Sequence, residues 1–507
     1  MLILFTGACP GIDLLYEHIA PGTFHNSAEW YDPPKCHPKT RVAMIQAIID
    51  WVEDGQKTTF IKWLYGPAGA GKSAIMQAIA EFYFKSGHLA ASFFWSWFAA
   101  GRNDAKCLIA SLAYQLVIVI LQICVHVEEA VEADPSLFAR SMKAQMQSLI
   151  VGPLEKVFRH DSQQVPVDSE NPKLVILDGL DECDTPEAQQ YILKVITNCV
   201  GNFPIPLFFL IASRPEQAIW ASFNNEPLIN ITAWLALDEK YHPDDDIRLF
   251  LVKIFQAMKR THELWAVLPP VWPTEADINH LIHKSSGQFI YAATVVKFTS
   301  TPWHMPTKQL NIALGITPAE KDTLVAELDT LYHHIFSLVE DLPKVFDMLG
   351  CLFFLNPYPC RKSAYLLENI LSYNSGELQL ILIDLYSVIE VPDVRAQSEE
   401  LHIFHASLQD FLMDPTHSWD LYMDKGKAHA CIAQHFLRCI NNYLPNTFND
   451  KSVILQFICK LELIFHLDLI SNKHFARLVF GNLGYQCFLS SPTRELMADL
   501  FDFDFQN

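Results

Sequence analysis

Apolar residues along this chain come in two rhythms. Five short runs are almost continuously apolar, β-branched or aromatic: TFIKWLY (Thr59 to Tyr65), ASFFWSW (Ala91 to Trp97), KLVILD (Lys173 to Asp178), PLFFLIAS (Pro206 to Ser213) and NITAWLAL (Asn230 to Leu237). Runs without polar alternation predict strands buried on both faces, since a strand with one wet face would alternate. Between them the spacing is helical, with Ile45, Ile48, Ile49 and Val52 in one segment and SAIMQAIAEFYF (Ser73 to Phe84) in another. Strands alternating with helices predict an α/β domain over about 36–240, a parallel sheet of about five strands flanked by helices.

From Asp244 onward the pattern is helix after helix. Asp244, Asp245 and Asp246 open a segment with Ile247, Phe250, Leu251, Ile254, Phe255 and Met258 at helical spacing, acids at the end where the helix dipole favours them. Two helices are predicted to flank Ser285-Ser286-Gly287, and another runs through Leu324, Leu328, Leu331, Tyr332 and Ile335. Three short helical patterns, the strand ELHIF (Glu400 to Phe404) and then HASLQDFL have the order of a winged helix. The tail is helical, with Ile432, Phe436, Leu437, Ile440 and Leu444 on one face, and the proline-rich start reads as irregular with one short helix at Asp13 to Ala20. The expected division is a leader at 1–35, the α/β domain at 36–240, a helical domain at 241–340, a winged-helix-like domain at 341–414 and a C-terminal helical region at 415–507. No repeat period interrupts this order.

The first predicted strand and the following helix are joined by Gly66-Pro67-Ala68-Gly69-Ala70-Gly71-Lys72-Ser73, continuing into Ala74. This is a complete G-x-x-x-x-G-K-[ST] phosphate loop in its required strand, loop, helix context. Its glycines let successive N–H groups and the helix N-terminus face phosphate oxygens; Lys72 adds charge near the β- and γ-phosphates, and Ser73 offers a hydroxyl to Mg²⁺. ATP or ADP with Mg²⁺ is therefore the expected ligand. Downstream, LVILDGLDEC puts Asp178 at a strand end, where a carboxylate would hold the metal with Ser73, followed by Asp181 and Glu182 as acidic candidates for activating water. Many fast ATPases carry that Glu directly after the metal-binding Asp. Here Gly179 stands there, so slow or regulated hydrolysis is expected.

Composition narrows the partners. The 507 residues carry a net charge of -20 with only 19% charged residues, which excludes a general nucleic-acid or anionic-membrane partner and leaves enough apolar chain for about three domains. The winged-helix segment is itself acidic, with four Lys or Arg against eleven Asp or Glu over 341–414. Twelve cysteines without a C-x-x-C pair fit buried thiols in a reducing cytoplasm, neither a disulfide framework nor a zinc site. The start, MLILFTGACPG, lacks the basic residues of a signal peptide, and the uncharged stretch from Cys107 to His126 is expected to be a buried helix of the α/β domain, not a membrane span.

CHPKTR (36–41), LYGPAGAGKSAI (64–75), LAYQL (112–116), EADPSLF (132–138), ILDGLDEC (176–183), FLIASRPE (209–216) and SSGQFIYAATVVKF (285–298) occur in an order that resembles the NACHT NTPases of the STAND class, specifically the fungal NLR-like group with a nephrocystin-3-like N-terminal type. LHIFHASLQDFLMD (401–414) extends the similarity more weakly. The resemblance implies a nucleotide-gated switch: ADP holds a closed monomer, ATP opens it, and a homo-oligomer signals to a separate effector or sensor, as in recognition or cell-death signalling. It further implies phosphate and magnesium contacts for Lys72 and Ser73, an acidic cluster of Asp178, Asp181 and Glu182, a sensor role at the γ-phosphate for Arg214, and an ADP contact for His405. Three departures stand out: no Pro follows Gly287, Leu408 and Asp410 replace Phe and Glu in the His405 motif, and Trp97 replaces an expected basic residue. Competing expectations are a conventional P-loop ATPase or kinase, or a truncated nucleotide-binding adaptor without hydrolysis. A GTPase is disfavoured by the lack of an N-K-x-D motif.

Overall fold

All five apolar runs become strands of one parallel sheet: β1 Ile61–Tyr65, β2 Leu89–Phe94, β3 Lys173–Asp178, β4 Leu207–Ser213 and β5 Thr232–Ala236, in the order β2-β3-β4-β1-β5. The structure is a computed structural model describing residues 10–28, 35–96, 102–158, 173–237, 241–301, 304–315, 326–355, 362–392 and 399–443. Trp97, Leu324 and Leu444 lie outside the described residues.

The continuous apolar runs are explained by the two faces of the sheet. Ile61, Trp63, Phe93, Val175, Leu177, Phe209 and Ile211 point to one side, where they pack with helices Leu108–Val119, Pro186–Cys199 and Gln217–Phe223. Leu64, Phe94, Leu174, Ile176, Leu210 and Ala212 point to the other, against helices Val42–Glu53 and Lys72–Lys85 through Met44, Ile48, Ile75, Met76 and Ile79. Each such side chain is worth about 1.5–3 kcal/mol when fully buried, so neither face tolerates polar alternation. On β1, Trp63 stacks on Phe223 at 4.1 Å between ring centroids, and its indole N–H donates to the Ser213 hydroxyl on β4 at 2.9 Å.

Two expectations for this region are corrected. The stretch from Cys107 to His126 is not one helix but two, Leu108–Val119 and Cys124–Ala133, bent by 116° about Ile120. Val117, Ile118, Val119 and Ile120 are four consecutive β-branched residues, and their restricted χ1 angles disfavour helix continuation. Among the described residues no single helix is long and apolar enough to cross a membrane. The short leader helix spans Pro10–Tyr16, earlier than expected, opening on a proline whose fixed φ suits the first turn. It is docked: Leu15 is fully buried in the sheet core, and Gly11 lets the helix approach Glu128 so closely that a Cβ would lie 2.8 Å from its carbonyl oxygen.

The chain packs as two units, 1–316 and 317–507. The helices Pro243–Thr261, Glu275–Ser285, Phe289–Thr299 and Pro306–Gly315 belong to the first unit together with the sheet. In the second, helices Leu342–Phe354, Ala364–Leu371 and Glu377–Ile381 precede a two-stranded antiparallel ribbon, β6 Ile389–Glu390 and β7 His402–Ile403, and helix Ser407–Met413. The expected strand Glu400 to Phe404 pairs with β6 through His402 and Ile403, and Glu400 makes a separate antiparallel bridge to Ser363. A final described helix, Lys425–Tyr443, packs on Leu342–Phe354, where a Cβ added at Gly350 would lie 3.6 Å from the Cβ of Ala428.

Candidate phosphate-binding site

The register of the sheet brings three strand ends to one edge. Tyr65, the last residue of β1, pairs with Ser213 at the end of β4, and Asp178 at the end of β3 pairs with Ala212. Because β4 lies between β1 and β3, the residue after it, Arg214, emerges between the glycine loop and the acidic segment. The loop continues from β1 into helix Lys72–Lys85, whose N-terminal N–H groups and dipole favour an anion. Gly69 and Gly71 take φ of 71° and 92°, left-handed values that other L-residues adopt only at a cost, so the turn requires these glycines.

Four charged groups converge on Lys72. Burial pulls its ammonium below the ordinary range; Asp181, Asp178 and Glu182 favour its charge while Arg214 opposes it. Its Nζ donates to the carbonyl oxygens of Gly66 and Pro67 at 2.8 and 2.9 Å, so the side chain folds back along the loop. Asp178 is 4% exposed, and burial pushes its carboxyl up to about 7 against the pull of the Ser73 hydroxyl bonded to it and of Lys72. Its Oδ1 is buried with no hydrogen-bond partner, the position of an acceptor made for a cation or a donor. Asp181, equally buried, is held by Arg214: the Arg214 backbone N–H donates to Oδ1 at 2.9 Å and Nε lies 3.1 Å from Oδ2. Gly179 takes φ of 75°, which explains why a glycine occupies the place where a Glu would stand in fast ATPases.

The phosphate-loop residues, Asp178, Asp181, Glu182 and Arg214 therefore share one edge of one sheet. The fold is that of a P-loop NTPase. A family model described as "Nephrocystin 3, N-terminal" matches residues 44–214, which contain the P-loop and all four of those charged residues. Among solved structures, the Aeropyrum pernix ORC2 protein in ADPNP–ADP complexes is similar at 12% identity, with 83% of this chain and 100% of that chain covered and a TM-score of 0.32. A Drosophila ORC bound to GC-rich DNA and Cdc6 is similar at 10% identity, covering 91% of this chain and 70% of that one, TM-score 0.25. No curated protein matches the sequence.

The sequence reading missed three residues that contact or charge the P-loop site. Ile290, in the first turn of helix Phe289–Thr299, donates its N–H to the Gly69 carbonyl at 3.3 Å, and a Cβ on Gly69 would lie 2.0 Å from its Cγ2. Arg41, 5% exposed, donates from Nη2 to the Ala70 carbonyl at 2.7 Å, stacks its guanidinium 4.7 Å over the Phe289 ring, and gives its backbone N–H to Asp246 at 2.9 Å. Arg102 donates to the Phe94 carbonyl at the end of β2 and places positive charge near Asp178. Arg41 was legible only as part of CHPKTR, whose sequence gives no sign that the chain returns to the P-loop. His405 lies in the second unit, where its Nδ1 accepts from the Ser407 N–H at 3.0 Å and meets the Ser407 hydroxyl at 2.8 Å.

Proposed function

We propose that this chain is a nucleotide-gated switch that binds ADP and ATP with Mg²⁺, hydrolyses ATP slowly and signals through a change of assembly. The observation that carries the reading is the clasp on the P-loop: helix Phe289–Thr299 holds it through Ile290, and Arg41 ties Ala70 to Phe289 and to Asp246 of helix Pro243–Thr261. Any movement of the loop on binding phosphate would be felt by the helices beyond the sheet, which a simple catalyst does not need. The buried, unpartnered Oδ1 of Asp178 beside the Ser73 hydroxyl fits a divalent cation, with Ser73 and Asp178 as its holders. Such an ion would neutralise phosphate charge; Lys72 would contact the terminal phosphates, and Arg214 would approach the γ-phosphate.

Slow turnover follows from the same residues. Gly179 offers no base, and Asp181 is engaged by Arg214, which leaves Glu182 as the acid to orient water. A winged-helix role for 341–414 and a diphosphate contact for His405 belong to this proposal on their motif alone. So do the homo-oligomer, the separate effector, and recognition or cell-death signalling in a cytoplasmic setting. An adaptor that binds nucleotide without hydrolysis is the second reading, favoured by the Asp181–Arg214 pairing.

The test is to denature purified protein, identify the released nucleotide, and compare native mass with ADP and with a slowly hydrolysed ATP analogue. Bound ADP, lost in Lys72→Ala, and a larger assembly with the analogue are expected. Wild-type protein that is free of nucleotide and indifferent to both would sink the proposal.

A further inference from the structure

In the second unit, three side chains of metal-ligating type that lie far apart in sequence are brought together. Asp347 projects from helix Leu342–Phe354, and Cys431 and His435 project one turn apart from helix Lys425–Tyr443. The Cys431 thiol lies 2.8 Å from Asp347 Oδ1 and donates to it, His435 Nε2 lies 3.2 Å from Oδ2, and the three ligand atoms fall within 4.8 Å of one another. His435 is 7% exposed, and its second ring nitrogen, Nδ1, is buried without a hydrogen-bond partner. Cys431 and His435 stand at i, i+4, the spacing that sets two ligands on one helix face, and Asp347 faces them from the helix packed against theirs.

We infer that Asp347, Cys431 and His435 form a zinc site that pins helix Lys425–Tyr443 to helix Leu342–Phe354. The donor set decides the metal: a thiolate and an imidazole beside one carboxylate suit Zn²⁺, whereas Mg²⁺ and Ca²⁺ take oxygen ligands. Zinc bonds of about 2.0–2.3 Å would separate tetrahedral ligands by more than the present hydrogen bonds do, so modest side-chain rotation opens the cluster around the ion. The proton that Cys431 now donates to Asp347 leaves to solvent as the thiolate binds. The site joins two helices of the second unit and is remote in sequence from the P-loop.

The experiment uses the full chain and the metals themselves. Purified protein is assayed for retained zinc, then stripped and titrated with Co²⁺, which reports thiolate ligation by a sulfur-to-cobalt charge-transfer band. Co²⁺ at the P-loop would have oxygen ligands and give no such band. The expected result is about one equivalent of tightly held metal, a tetrahedral cobalt spectrum with the thiolate band, and its loss in Cys431→Ser but not in Cys107→Ser. His435→Gln keeps the thiol and is expected to weaken Zn²⁺ binding by at least about tenfold. Wild-type protein that binds no stoichiometric Zn²⁺ or Co²⁺, or a thiolate band that survives Cys431→Ser, overturns the inference. If Cys431→Ser does not fold, the wild-type spectrum and the His435→Gln affinity still decide it.

Discussion

Arg214 holds Asp181 at two points, by its backbone N–H at 2.9 Å from Oδ1 and by Nε at 3.1 Å from Oδ2. An acid gripped in this way positions an arginine more readily than it activates water. Asp181→Asn removes the charge and keeps the volume. ATP hydrolysis is expected to fall by about tenfold or more, while nucleotide binding is kept or tightened because a negative charge leaves the Lys72 neighbourhood. Arg214→Ala is expected to weaken the triphosphate analogue relative to ADP by about tenfold. Titrations with both nucleotides and a turnover assay check the pair; hydrolysis unchanged in Asp181→Asn would refute the positioning role.

Gly69 and Ile290 make a second coupled pair. A methyl at Gly69 meets Ile290 Cγ2 at 2.0 Å and also forces a left-handed backbone at φ 71°. The backbone strain is worth about 1–2 kcal/mol and the overpacking about 1–3 kcal/mol. Gly69→Ala should therefore lose nucleotide retention and melt earlier. Adding Ile290→Ala should restore the steric part and leave the strain. Melting curves of both single variants and the double variant measure this non-additivity, and strict additivity would count against the clasp.

Arg41 anchors Ala70 from a buried position. Arg41→Ala leaves the Ala70 carbonyl without its donor, a loss of about 1–3 kcal/mol if water does not replace it. Nucleotide affinity is expected to drop by about tenfold. Arg41→Lys should not restore it, because an ammonium cannot both stack on Phe289 and keep the guanidinium fork's geometry. Equilibrium binding of ADP to the three proteins checks the order.

Lys62 on β1 is 7% exposed beside Trp51, and burial pulls its ammonium down to about 8 from 10.5, with Asp50 opposing. Between those two pH values the unfolded chain binds a proton that the folded chain has released, so this residue makes stability rise with pH across that window. Below pH 8 the buried charge is destabilising in full, by up to roughly 3 kcal/mol. Lys62→Met is thus expected to melt higher than wild type at pH 7, with the difference closing as pH climbs toward 10.5. Thermal unfolding at a series of pH values reads it; a gap that widens with pH would contradict the assignment.

The sheet was legible because its strands are buried on both faces and have no polar residue period to blur them. The P-loop was legible because phosphate binding needs glycines, a lysine and a hydroxyl at fixed spacing, all within one turn of chain. Asp178 and Arg214 could be assigned to strand ends, but their partners could not. That Asp181 belongs to Arg214 depends on β4 lying between β1 and β3, and strand order is not written in local pattern. The break at Ile120 was hidden by uniform hydrophobicity, which there marked neither direction nor burial: Ile118, Leu121 and Val125 are more than half exposed.

The sequence by itself determined the fold class and the phosphate loop, because both rest on short-range periodicity and on chemistry carried by neighbouring residues. Only the tertiary structure decided that Arg41 and Ile290 return to clasp that loop, and that Asp347, Cys431 and His435 meet although no cysteine spacing announced a ligand set. These contacts join residues tens to hundreds of positions apart. The packing of sheet and helices brings them together, and no local rule of spacing or propensity encodes it.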